Sequence, residues 1–220
     1  MNATLAAPTD RSTPVRPLLL AGAAAGPLFV AAVLAQAYVR PGFDPARHPL
    51  SSLALGDLGW LQIANFLIYC GLTLTGAVGL QRALGRSRGA TWGPRLIALS
   101  GVGFIVAGIF PADPINGFPA GTDDVVTWHG AVHSAAGAAL AGIAGLVAYG
   151  VFARRFAADR EWRWVVWTTV TPILVLASSA TAAATTDFRP MLMGQAIGAA
   201  WITSLFLKHL AHREATTLSR

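Results

Sequence analysis

The chain has 220 residues and a formal net charge of +6, with 54% hydrophobic and only 12% charged residues. Globular proteins carry about 25% charged residues, so a water-soluble surface over a chain of this length is excluded. A pI near 10.7 points first to nucleic acid, but the basic residues are scattered along loops with no reading module, which makes anionic lipid headgroups the expected partner and excludes nucleic acid.

Residues 1–16, rich in Thr, Ser, Pro and Ala around Asp10 and Arg11, read as a disordered tail. The first charge-free run, Pro17 to Tyr38, has the roughly 20 residues that a helix needs to cross hydrocarbon. A cleavable signal peptide ending at Ala35-Gln36-Ala37 is the alternative. Its apolar core, Pro17 to Leu34, exceeds the usual ~7–15 residues, and an uncleaved span is expected. Further spans follow at Trp60 to Gln81, Leu96 to Ala112, Gly130 to Ala153, Trp164 to Thr186 and Pro190 to Leu207. No water satisfies backbone amides inside a bilayer, so such runs must be helical. The fold class is therefore all-α: an integral membrane bundle of six transmembrane helices over residues 17–210, followed by a C-terminal tail over 211–220.

Charge orients the bundle. Thirteen of the sixteen Lys and Arg fall on the side of the termini, and only Arg40, Arg47 and Arg189 fall on the other. The positive-inside rule places the first group, and both termini, in the cytoplasm, with the plasma membrane as the expected location. With the acidic residues included, the inner face carries +9 and the outer face −3, together the chain's +6. Cys70 is the single cysteine, so no disulfide or Cys-based zinc cage forms within one chain.

Small residues recur at helix-packing spacing: Gly22 and Gly26, then Gly137, Gly142, Gly145 and Gly150, then Gly194 and Gly198. Close backbone approach drives helix association in lipid, and all these glycines are expected to serve packing within the bundle. Ser178, Ser179, Thr181, Thr185 and Thr186 are expected to bond back to carbonyls of their own helix. Trp60, Trp92, Trp128, Trp162 and Trp164 lie at span ends as interfacial anchors, whereas Trp201 lies deeper and is expected to pack.

The residues able to carry chemistry gather at the outer face. His129 and His133 are four apart, on one helix face about 5–6 Å apart at Cβ, a spacing that zinc sites use to draw two imidazoles from one helix. His48 and Asp113 are the candidates to complete such a shell. The competing reading is structural: His133 and Asp113 form a buried pair that clamps the third span to the fourth. Ser51 or Ser52 with His133 and Asp113 supplies the residue types of a hydrolase, but no nucleophile-elbow pattern surrounds either serine. Ser52 is expected instead to help cap a short helix from Leu53, and Asp57 to cap the second span where the dipole favours a carboxylate. Gln62, Asn65 and Gln195 either line the same outward cavity or bond across helices, and Asp187 with Arg189 forms an exposed ion pair of little energetic weight.

In combination, His48-Pro49-Leu50-Ser51-Ser52-Leu53, Gly56-Asp57-Leu58-Gly59, Phe110-Pro111-Ala112-Asp113 and His129-Gly130-Ala131-Val132-His133 resemble the bacterial six-helix membrane family catalogued as domain of unknown function 998. The resemblance covers roughly residues 17–210. It implies the topology and singles out Ser52, Asp57, Asp113 and His133 as catalytic candidates, while implying no reaction. A looser similarity to membrane hydrolases of the alkaline ceramidase and adiponectin-receptor type implies a zinc site from His129, His133, His48 and Asp113, with Ser52 beside it. Those proteins have seven spans, not six.

Two functions follow as expectations. One is an enzyme acting on a lipid or isoprenoid substrate entering from the outer leaflet, through the His–Asp cluster with or without zinc. The other is a noncatalytic membrane protein, a small transporter or a lipid-binding or assembly accessory, whose cluster is a clamp. Transport draws less support, because no inverted repeat and no matched pair of broken helices is present.

Overall fold

A computed structural model of the chain describes residues 15–218. Most of the expected N-terminal tail lies outside them, and its last two residues, Val15 and Arg16, open the first helix. Six helices are long and apolar enough to span a membrane: α1 Val15–Val39, α2 Gly59–Leu84, α3 Trp92–Ile109, α4 Trp128–Ala158, α5 Trp162–Thr185 and α6, whose apolar part is Arg189–Arg213. Helix α6 continues to Leu218, into the segment read as a C-terminal tail. Within α4, Gly137–Ile143 widens into a π-helical segment. Each span packs on its chain neighbours, and α6 closes the ring on α1.

Close approach at the α1–α2 seam comes from glycine. A Cβ on Gly76 would lie 2.5 Å from the Gly22 Cα, and Phe206 of α6 seats its ring over the same point. A Cβ on Gly26 would lie 2.8 Å from the Ala199 carbonyl oxygen. The glycines of α1 therefore serve intramolecular packing, as expected. Those of α4 do not: a Cβ on Gly137, Gly145 or Gly150 would meet nothing within 4 Å, and one on Gly142 only the Gly137 carbonyl at 3.4 Å. Their spacing matches a packing seam, yet they face open space.

Proline accounts for two features that apolarity does not reveal. Pro27 sits inside α1 and has no N–H to donate, so the carbonyl four residues earlier, on Ala23, loses its helical partner. The Thr203 hydroxyl of α6 donates to that carbonyl at 3.0 Å, the cross-helix repair that hydrocarbon requires. At the C-terminal end of α3, Pro111 drives Phe110 into an extended conformation (φ −112°, ψ 92°). The helix consequently stops at Ile109, short of the expected Ala112.

Two apolar clusters fill the ring. One, in the half nearer the termini, includes Leu80, Ile97, Phe152 and Phe206. The other, in the opposite half, includes Phe29, Val33, Leu53, Phe66 and Phe118. Trp60, Trp92, Trp128 and Trp162 are exposed at span ends, while Trp201 is buried and donates from Nε1 to Thr168 at 3.1 Å. The Ser and Thr hydroxyls of α5 do bond back to carbonyls of their own helix, as Ser178 does to Leu174 and Thr181 to Ala177.

Candidate functional site

The corner between the end of α3 and the start of α4 is a reciprocal clasp. Ala107 is four residues before Pro111, so its carbonyl has no helical donor. His133, one turn into α4, supplies the hydrogen: its Nδ1 lies 3.2 Å from the Ala107 carbonyl oxygen and 2.9 Å from that of Phe110. With only carbonyls facing it, Nδ1 must carry the proton and donate. In the other direction, Asp113 accepts from the Thr127 N–H at 3.0 Å and from the Thr127 hydroxyl at 2.6 Å. Thr127 is the N-cap of α4, and its oxygen accepts from the Gly130 N–H at 3.2 Å. The end of α3 is thus completed by a side chain of α4, and the N-cap residue of α4 is held by Asp113 of the loop that follows α3.

Glycine at position 130 is a condition of this arrangement. A Cβ there would lie 1.9 Å from Asp113 Oδ2, so the carboxylate occupies the space of the missing side chain. The bonds from Thr127 hold the Asp113 carboxyl below the usual carboxylate range, with His129 and His133 acting in the same direction and burial against it. A lowered folded-state pKa means that the clasp contributes above the ordinary value of about 3.9 and is lost as pH falls through the lowered one.

The structure separates His48 from this corner. His48 is 3% exposed, its Nδ1 accepts from the Asp44 N–H at 2.9 Å, and its Nε2 faces the Asn116 carbonyl oxygen at 3.3 Å. The Asp44 bond assigns the proton to Nε2, so both ring nitrogens are engaged. Phe43 and Phe118 flank the ring, with centroids 5.5 and 5.2 Å away. Asn116 completes the latch by donating to the Arg47 carbonyl at 2.6 Å. Nothing in the sequence singled out Asn116, because it belongs to no spacing pattern.

The remaining candidates make no bond within the clasp. His129 is exposed, with its ring 3.7 Å from that of Trp128. Ser52 is fully buried within the 3₁₀ turn Leu50–Ala54, and its hydroxyl has no hydrogen-bond partner. It is not a cap: Pro49 holds that position and makes no side-chain bond. Asp57 is not a cap either, since α2 starts at Gly59 with Leu58 before it and no side-chain bond. Its field instead supports Arg40, a buried guanidinium that burial pushes down and Asp57 pulls up, and that donates to the Leu55 carbonyl. Among the described residues, no three His, Cys, Asp or Glu side chains stand together as a metal site. The clasp alone would offer zinc two donors, His133 Nε2 and the Asp113 carboxylate, too few for a shell.

A second feature lies at membrane depth. A cavity of about 310 Å³ opens among the six spans, lined by residues that include Tyr69, Ser100, Gly142, Tyr149, Val175 and Gln195. None of His48, Ser52, Asp57, Asp113, His129 or His133 is on its wall. Gln62 and Asn65 are not on it either: Gln36 and Asn65 both donate to Gln62 Oε1, at 2.8 and 3.3 Å, tying α1 to α2. Gln195 does line it.

Ring, clasp and cavity together define a multi-pass α-helical membrane protein. The family described as "Protein of unknown function (DUF998)" matches over residues 23–207, and the chain belongs to that family. Neither a curated protein nor a solved structure matches the chain.

Proposed function

We propose that this chain is a noncatalytic lipid-binding protein of the plasma membrane, inserted with both termini in the cytoplasm. The observation that carries the reading is the use of His133 and Asp113: the imidazole completes the carbonyls at the end of α3, and the carboxylate completes the N-cap of α4. Nδ1 of the imidazole and both carboxylate oxygens are spent on the helix ends, which supports a structural role for the pair. Lipid binding draws its support from the cavity, which lies at hydrocarbon depth behind largely apolar walls. The orientation rests on the bias of Arg and Lys toward one face.

Metal analysis beside thermal unfolding tests the chemistry. The clasp predicts wild-type protein without stoichiometric zinc, and a His133→Ala variant less stable by about 1–3 kcal/mol, the cost of leaving acceptors unpaired. One equivalent of zinc in the wild type, lost in His133→Ala, would overturn it. Orientation is read by labelling intact cells with a membrane-impermeant maleimide, to which buried Cys70 is silent. Asp123→Cys should label and Arg86→Cys should not; the reverse pattern would contradict the proposed insertion.

A further inference from the structure

Spans α4 and α5 part from one another toward the outer face. Residues 144–158 of α4 pack against both α3 and α5, whereas residues 128–143 pack on α3. The separation begins at the π-helical segment Gly137–Ile143, and the gap leads into the central cavity, whose wall takes Gly137, Ala141, Gly142 and Gly145 from one side and Pro172, Val175, Leu176 and Ser179 from the other.

Three properties of the gap define its occupant. Its edges are hydrocarbon and open, with Ile143 60%, Ile173 63% and Leu176 53% exposed; at this depth the medium outside is lipid, since all flanking residues lie within spans. The glycines of α4 leave the bore empty, because a Cβ at Gly145 meets nothing within 4 Å. The wall is mostly apolar, and among the described residues Gln195 and the Tyr149 hydroxyl are the polar groups on it that make no bond elsewhere. The hydroxyls of Ser100 and Ser179 already donate to the carbonyls of Ile97 and Val175, and the Trp201 indole to Thr168. An apolar cavity with few free polar partners takes an apolar guest in preference to water. A volume of about 310 Å³ is roughly ten water volumes at ~30 Å³ each, room for part of one chain.

We infer that one hydrocarbon chain of an outer-leaflet lipid enters between α4 and α5 and lies in the cavity against Gly142, Gly145 and Val175. This rests on the lipid-binding reading above and adds to it the site, the route and the part of the lipid that is held. Gly142 and Gly145 are then the means by which the fold keeps a bore open, which is why neither meets another helix.

The test uses the full chain in nanodiscs containing a phosphatidylglycerol with a diazirine on one acyl chain, photolysed and mapped by peptide mass spectrometry. Adducts are expected on residues 137–147 and 172–179. The double variant Gly142→Leu/Gly145→Leu should cut their yield about tenfold, while Gly150→Leu, on the same helix but off the cavity wall, should leave it unchanged. Leu176→Trp closes the gap from the opposite side and serves as the second variant if the double leucine chain does not fold. Discrete lipid adducts retained equally in wild type and in both cavity-filling variants, each with unchanged melting, would overturn the site and the route while sparing lipid binding. Wild-type adducts spread evenly over all outward faces, with no lipid retained in native mass spectrometry, would overturn the lipid-binding reading as well.

Discussion

Gly130→Ala is expected to destabilise the protein by about 2 kcal/mol, although alanine in a helix is worth roughly 1 kcal/mol more than glycine. The added methyl would sit 1.9 Å from Asp113 Oδ2 and 2.2 Å from its Cγ. The carboxylate must then leave, and both bonds from Thr127 go with it. Hydrogen bonds to a charged group contribute about 1.5–3 kcal/mol each, a range taken at its lower end here because the carboxylate is partly solvated. The loss exceeds the gain in helix propensity, so the sign is fixed even where the size is approximate. Thermal unfolding in detergent should read it as a fall of about 4–8 °C, at roughly 2–4 °C per kcal/mol for a chain of this length. An unchanged melting temperature would mean that the α4 cap does not depend on Asp113.

Gly76→Val is expected to cost more, at ~3 kcal/mol or above, the upper part of the range for overpacking a closed core. A Cβ at Gly76 meets the Gly22 Cα at 2.5 Å and Phe206 Cζ at 2.7 Å. The ring can rotate away, but the Gly22 backbone cannot. Helices α1 and α2 must therefore separate, which also disturbs the Gln36–Gln62 bond between them. Proteolysis of the membrane-inserted variant should show α1 released before the remaining spans. The matched substitution Gly150→Val, where nothing lies within 4 Å, should leave the bundle intact. Equal damage from the two would refute the seam.

The six spans were legible because hydrocarbon imposes one requirement on length and polarity, and the sequence meets it six times. Their ends were less legible. Apolarity continued to Ala112, but Pro111 stops α3 at Ile109, a local steric effect that hydropathy does not register. His133 was legible as a clamp, and its expected partner was Asp113 because a charged group suggests a charged partner. Its partners are instead the Ala107 and Phe110 carbonyls. The signal for one of them was present, since a proline four residues after Ala107 leaves a carbonyl unpaired. Ser52 and Asp57 stood where helix starts were expected, but one lies inside the turn and the other one residue before the cap. Of the cavity, only Gln195 on its wall was legible. Glycines spaced for packing and glycines lining a void have the same pattern, and only the path of α5 away from α4 distinguishes them.

The clasp at the α3–α4 corner is tested most directly by a double-mutant cycle on Asp113→Ala and Gly130→Ala, read as unfolding free energy. If Gly130 is glycine because the Asp113 carboxylate fills its space, removing the carboxylate makes room for the methyl. The double variant should then be no less stable than Asp113→Ala alone, with a coupling of about 2 kcal/mol, within the range seen for residues in contact. Strictly additive losses would show that Gly130 and Asp113 act separately, and the clasp account would be wrong.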